Sequence, residues 1–127
     1  MIFAVVGLAS FVVKPSDLYT LYSSNMLMKY ADDSYLLVGS NHIATALEEF
    51  NHMTIWAKEN NQRLNPSKIE ELIVFRSRIR HVLPPTSPNI SETERVSSLR
   101  VLGVVISSDL GISAHLDHVL SFCASSM

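Results

Sequence analysis

Two adjacent carboxylates in an otherwise apolar stretch are the residues of this sequence best suited to chemistry. They stand in Tyr30-Ala31-Asp32-Asp33, between Met26-Leu27-Met28 on one side and Tyr35-Leu36-Leu37-Val38 on the other. Side by side in apolar surroundings, such acids repel each other and lose hydration, and a divalent cation relieves both costs. Hard oxygen ligands suit Mg²⁺, or Mn²⁺ in its place. Mg²⁺ takes one or two carboxylates and completes its shell with water and phosphate oxygens. Two such ions about 3.5–4 Å apart can activate a hydroxyl nucleophile and stabilise a departing pyrophosphate. A solvated Asp-Asp turn is the plain alternative, and four residues do not decide between the two.

The element that carries the pair sets its geometry. Successive strand residues face opposite sides, so only a tight turn lets both acids approach one site. Met26 to Tyr30 and Ser34 to Val38 predict the two strands of a β-hairpin with the acids at its tip. Gly39-Ser40-Asn41 then interrupts the pattern and offers an N-cap. One helix is predicted over 40–60, with Ile43, Leu47, Phe50, Thr54 and Ala57 as its apolar stripe. Glu48, Glu49, Lys58 and Glu59 fall largely off that stripe, and Trp56 reads as core or rim packing. Asn60 and Asn61 suit the helix end, and Asn65-Pro66 marks a loop.

Leu72 to Phe75 and Val101 to Ile106 are β-prone, and Pro84, Pro85 and Pro88 between them predict a loop. Ile112, Leu116, Val119, Leu120 and Cys123 recur at helical spacing, with Ser113 as a candidate cap. This order predicts an α+β fold, with helices packed on one face of a mostly antiparallel sheet.

Composition narrows the function classes. The chain has 127 residues, 47% of them hydrophobic, a formal charge of −2 and a mean hydropathy of +0.21. That suits one small packed domain or a piece of a larger one, not a disordered chain. Near-neutral charge supplies little of the basic surface that holds phosphate backbones. The single cysteine, Cys123, forms no internal disulfide, and no Cys/His cluster has ligand spacing, which fits a reducing, intracellular compartment. Met1 to Val13 is apolar but too short to span a bilayer and lacks a basic leader, so it is expected in the core and not in a membrane, with a signal sequence as the alternative that periodicity does not separate. Gly7 would weaken a helix there.

With its flanks, Lys29-Tyr30-Ala31-Asp32-Asp33-Ser34-Tyr35-Leu36-Leu37-Val38 resembles the catalytic hairpin of reverse transcriptases. Leu64-Asn65-Pro66-Ser67-Lys68 resembles the next segment of that family, in which a lysine sits near the incoming triphosphate. Leu99 to Ile106 resembles the primer-gripping strand pair. Ser107 to Leu110 and His115 to Val119 resemble the region beyond that pair in non-LTR, LINE-type retrotransposons. Upstream, Gly7 to Val13 and Ser16-Asp17-Leu18 resemble the end of the template- and nucleotide-contacting segment. The similarity runs in order along nearly the whole chain.

The resemblance implies a partial polymerase palm over 1–110 and the start of a thumb or connection helix over 111–127. It implies Asp32 and Asp33 as catalytic, metal-binding residues for Mg²⁺ or Mn²⁺, and Lys68 as a phosphate contact or general acid. Tyr30 and Gly7 would contact nucleotide or template, and Leu102 and Gly103 would belong to the primer grip. The implied partners are an RNA template, a DNA primer, dNTPs, and the fingers, palm and thumb segments found in the family. The sequence departs from the family upstream, where no strand bears a further metal-binding Asp. Ile2, Phe3 and Ala4 stand where Gln-Gly-Ser is usual, and Leu8 where proline is usual. The expectation is a polymerase fragment inactive alone; the alternative is a noncatalytic retrotransposon-derived remnant.

Each functional residue has a structural competitor. Lys68 reads equally as a solvated loop lysine, Gly103 as a bulge or packing glycine, and Tyr30 as sheet packing. His42, His52, His81, His115 and His118 share no ligand spacing and read as surface residues. Arg76, Arg78 and Arg80 read as a charged strand end more readily than as phosphate contacts.

Overall fold

The computed structural model describes residues 2–9, 17–74, 90 and 93–125. Part of the N-terminal apolar run forms β1 (Ile2–Ala9), the middle strand of a five-stranded sheet; the rest of that run lies outside the described residues. An apolar segment can take this place because neighbours on both sides satisfy its backbone. Those neighbours are β3 (Asp33–Val38) and β4 (Arg63–Ile73), both antiparallel to β1. β2 (Met26–Tyr30) pairs with β3 at one edge, and β5 (Glu94–Val96) runs parallel to β4 at the other. The expected α+β architecture is present, as is the hairpin from Met26 to Val38.

The expected single helix is two pieces. A 3-10 segment covers Ser40–Thr45, with a kink at His42 (φ −120°, ψ 18°), and α1 (Ala46–Glu59) follows. Gly39 caps the first piece and Ser40 gives no side-chain cap. The kink changes the phase of the buried stripe, which is Ala46, Glu49, Phe50, Met53, Trp56 and Ala57. These fall at i, i+3, i+4, i+7, i+10 and i+11, one continuous helical face. Leu47, placed in the core by spacing from Ile43, is 44% exposed. Thr54 is also exposed, and its hydroxyl donates back to the Phe50 carbonyl at 2.9 Å. Glu49, expected off the stripe, is buried.

α1 packs on one sheet face with Leu36, Val38, Ile69, Leu18 and Ile90. The opposite face carries Tyr35, Leu72 and Val74, covered by Leu99 with Val101 and Ile106. These last residues belong to a second hairpin, β6 (Ser98–Val101) and β7 (Val104–Ser107), where sequence alone suggested one β-prone run over 101–106. α2 (Ser113–Ser125) follows, so Ser113 lies inside the helix. Leu116 N–H already bonds the Ile112 carbonyl at 3.0 Å. A turn held by Asp109 joins β7 to α2: its carboxylate accepts from the Ser107 hydroxyl at 2.6 Å and the Gly111 N–H at 2.9 Å. These two bonds, the hydroxyl first, hold the Asp109 carboxyl below its usual range.

The strand β4 includes Asn65-Pro66, expected as a loop, but residues 65–68 leave the ladder and the loop survives as a bulge. The proline-rich stretch around Pro84, Arg76, Arg78, Arg80 and His81 lies outside the described residues. Among the described residues, no helix is long and apolar enough to cross a membrane.

Two buried carboxylates tie the periphery to the sheet. Glu49 accepts from Leu21 N–H at 2.9 Å, Tyr22 N–H at 3.0 Å and the Asn25 side-chain amide at 2.9 Å. It thereby fixes the segment that leads into β2. Glu71, fully buried on β4, pairs with Arg95 of β5 at 3.0 Å. Hydrogen bonds to a buried charge are each worth more than neutral ones, and orphaned donors add their desolvation cost. Glu49→Ala is therefore expected to lower stability by about 2–4 kcal/mol in urea unfolding; wild-type stability would show that the clamp is dispensable. In the same assay Met53→Ala should cost about 2–5 kcal/mol and Leu47→Ala no more than about 0.5 kcal/mol. The reverse order would restore the stripe read from the sequence.

Candidate functional site

The pairing of Tyr30 with Asp33 closes a two-residue turn, Ala31-Asp32, in which Ala31 takes a left-handed φ of 49°. Asp32 sits in the turn and Asp33 opens β3, so strand alternation does not force the two acids apart. Both are exposed, as is Tyr30 at 63%. Tyr30 therefore does not fill the sheet.

Strand register assembles the other candidates. Gly7 of β1 is the direct partner of Asp33. On its other side the β1–β4 ladder skips from Val6–Ile69 to Leu8–Leu64, leaving Gly7 opposite the four residues Asn65 to Lys68. The Asn65 side-chain oxygen organises this bulge, accepting from the Ser67 N–H at 3.1 Å and hydroxyl at 2.7 Å. Pro66 has no N–H to give a ladder, and Lys68 is exposed within the bulge. Asp33, Gly7 and the lysine-bearing bulge thus lie in one row across three strands, spanning two strand spacings or about 10 Å.

Leu102 and Gly103 form the turn between β6 and β7, with φ of 49° and 86°. Two left-handed residues in a two-residue hairpin define a type I′ turn, in which glycine is at ease and leucine is strained. Gly103 has open space around it, so neither a bulge nor close packing explains it; the turn conformation does.

A residue not singled out by the sequence bonds one of the acids. Tyr35 lies two positions after Asp33 on the same strand face, and its hydroxyl donates to Asp33 Oδ2 at 3.2 Å. The nearby Leu102 backbone N–H pulls the other way, favouring the ionised phenol. Burial of the ring, then the Asp33 charge and hydrogen bond, outweigh that influence and hold the Tyr35 phenol above its ordinary value. The i, i+2 spacing on a strand was the available signal. The histidines also need correction: His52 is half-buried against the Tyr19 ring (centroids 5.3 Å apart), and His115 Nδ1 accepts from the Val105 N–H at 3.3 Å, tying α2 to β7.

The donor set suits one hard cation held largely through its own water. Asp32 and Asp33 offer carboxylate oxygens, one of which is engaged by Tyr35. Among the described residues, no group of three or more His, Cys, Asp or Glu side chains gathers in metal-binding fashion. Mg²⁺ accepts one or two carboxylates plus water and phosphate, so these residues fit a single hydrated ion and fall short of a two-ion cage. A surface depression of about 450 Å³ lies elsewhere, lined by Thr54, Ala57, Lys58, Asn61, Gln62 and Leu64, and includes none of these acids.

Asp33→Asn removes the charge that opposes the phenolate. The Tyr35 titration, followed by tyrosinate absorbance, is then expected to move down from its wild-type midpoint while burial keeps it above the ordinary value. An unchanged midpoint would show that Asp33 does not act on Tyr35. Comparison of this chain with protein-family models, characterised proteins and solved structures finds no match, so the site rests on its own geometry.

Proposed function

We propose that this chain is part of the palm of an RNA-directed DNA polymerase of the non-LTR retrotransposon type. One observation carries the reading: a two-residue hairpin tipped by Asp32 and Asp33, with Asp33 paired to Gly7 of the middle strand. The lysine-bearing bulge across Gly7 supports it, because it sets Lys68 in the same row as Asp33. In this reading Asp32 and Asp33 hold the cation, which supplies charge stabilisation at the transferring phosphoryl group when bound. Lys68 meets phosphate, Tyr30 and Gly7 border the nucleotide, and the Leu102–Gly103 turn supports the primer. Fingers, the remaining palm and the thumb would provide the basic surface for template and primer that a net charge of −2 does not.

A noncatalytic remnant is the second reading. The two-carboxylate donor set favours it, because template-directed nucleotidyl transfer draws on two ions and further ligands.

Manganese binding read by electron paramagnetic resonance tests the first reading. Mn²⁺ is expected to bind weakly to the wild type and to lose its site in Asp32→Asn and in Asp33→Asn. Equal binding by all three proteins would remove the metal role of this hairpin. Both variants are expected to melt at or above the wild-type temperature without metal, because each relieves a like-charge contact. The 127 residues alone are not expected to extend a primer on an RNA template with Mg²⁺ or Mn²⁺. Extension that disappears in Asp32→Ala would instead give this chain a complete active site and exclude the remnant.

A further inference from the structure

We propose that the depression where α1 gives way to β4 binds a small organic carboxylate, with Lys58 and Asn61 holding its charged end and Ala57 and Leu64 receiving its apolar body. The volume of about 450 Å³ is that of a small-molecule site, for which about 300–1,000 Å³ is usual. Ala57 is buried and Leu64 is half-buried against the same core, so together they make an apolar floor. Lys58 and Asn61 are exposed and stand at the rim. They lie three residues apart, and the Asn61 N–H bonds the Lys58 carbonyl at 3.2 Å. Asn61 turns the chain out of the helix with a left-handed φ of 54°, a conformation that asparagine tolerates.

The sign of the ligand follows from how α1 ends. A helix C-terminus ordinarily presents unpaired carbonyls and a partial negative charge, which would draw a cation. Here the Trp56 carbonyl accepts from the Asn60 N–H at 3.0 Å and from the Asn60 side-chain amide at 2.9 Å. The Ala57 carbonyl accepts from the Gln62 N–H at 2.7 Å, and the Lys58 carbonyl is taken by Asn61. These acceptors are occupied, whereas the donors are not. Among the described residues, the Lys58 ammonium and the Asn61 side-chain amide have no hydrogen bond or ion pair. The Thr54 hydroxyl donates to the Phe50 carbonyl, and no acidic side chain lines the depression. An ammonium and a carboxamide offer donors only a short reach apart, and a carboxylate is a pure acceptor with two oxygens to meet them. One positive charge over an apolar floor matches one negative charge; a phosphate dianion would leave the second uncompensated.

This site is separate from the acidic hairpin and contains none of its residues. Along the sheet it comes nearest at Leu64, whose ladder partner Leu8 adjoins Gly7. The proposal therefore holds whether or not the chain is part of a polymerase.

Titration of the full chain with sodium hexanoate, followed by backbone amide spectra, tests the site, with hexanamide, acetate and inorganic phosphate as parallel probes. Hexanoate is expected to shift the amides of Ala57, Lys58, Asn61, Gln62 and Leu64 saturably. Hexanamide lacks the charge and acetate lacks the apolar body, so each should bind about tenfold more weakly or less tightly still. Lys58→Gln keeps a good helix former and removes the ammonium; it is expected to weaken hexanoate about tenfold. Asn61→Gly suits the left-handed backbone and removes only the carboxamide, so a smaller loss of a few-fold is expected. Should Asn61→Gly fail to fold, Lys58→Gln at its exposed position decides. The proposal is overturned by equal binding of hexanoate and hexanamide, by unchanged affinity in Lys58→Gln, or by phosphate binding more tightly than hexanoate. Shifts centred elsewhere, such as on the exposed apolar face of α2, or no saturable response to hexanoate, overturn it as well.

Discussion

The buried carboxylate of Glu49 holds the segment that delivers the acidic hairpin to the sheet, and most of the architecture depends on it. Its oxygens take up two backbone N–H groups, from Leu21 and Tyr22, and the side-chain amide of Asn25. Asn25 also donates to the Thr45 hydroxyl, so the start of α1 and the approach to β2 share one polar node. Lys29 of β2 adds a bond to the Leu18 carbonyl at 2.8 Å. A buried charge is costly unless it is hydrogen-bonded. Once satisfied by donors from a distant loop, it fixes that loop more narrowly than apolar contact would, because its bonds are directional.

That node makes sense of a two-faced sheet. β3 is buried on both sides, with Leu36 and Val38 under α1 and Tyr35 under the second hairpin. Its side chains therefore serve two cores, and only its first residue, Asp33, reaches solvent fully. The hairpin tip is exposed because the strand behind it is gripped from both faces. The ion pair of Glu71 with Arg95 plays a similar part at the other edge, where the short parallel strand β5 would otherwise rest on three backbone pairings.

α2 stands apart from this arrangement. It meets the rest of the described chain chiefly at β7, through His115 and the Asp109 turn. Ile112, Leu116, Leu120 and Phe122 are exposed by half or more. Apolar surface gathered on one helix in this way is uncommon.

Several features were legible in the sequence because local rules determine them. Apolar and β-branched residues on either side of Ala31-Asp32-Asp33 marked the first hairpin, and helical spacing marked α1 and α2. Asn60 and Asn61 signalled the end of α1, where Asn60 caps and Asn61 takes a φ of 54°. Other features depended on partners far along the chain. Spacing cannot reveal a change of phase at His42, so it assigned Leu47 to the core and left Glu49 out. A glutamate enters a core only when a remote loop brings its donors, and nothing near Glu49 in sequence announces Leu21 or Tyr22. The acids of the hairpin were plain as residue types, whereas their neighbours were set by register: Gly7 beside Asp33, and the Asn65–Lys68 bulge beyond it. The burial of Tyr35, the hydrogen-bond partner of Asp33, in one cluster with Leu99, Val101 and Ile106 required a second hairpin to fold across the sheet face, which only tertiary packing decides.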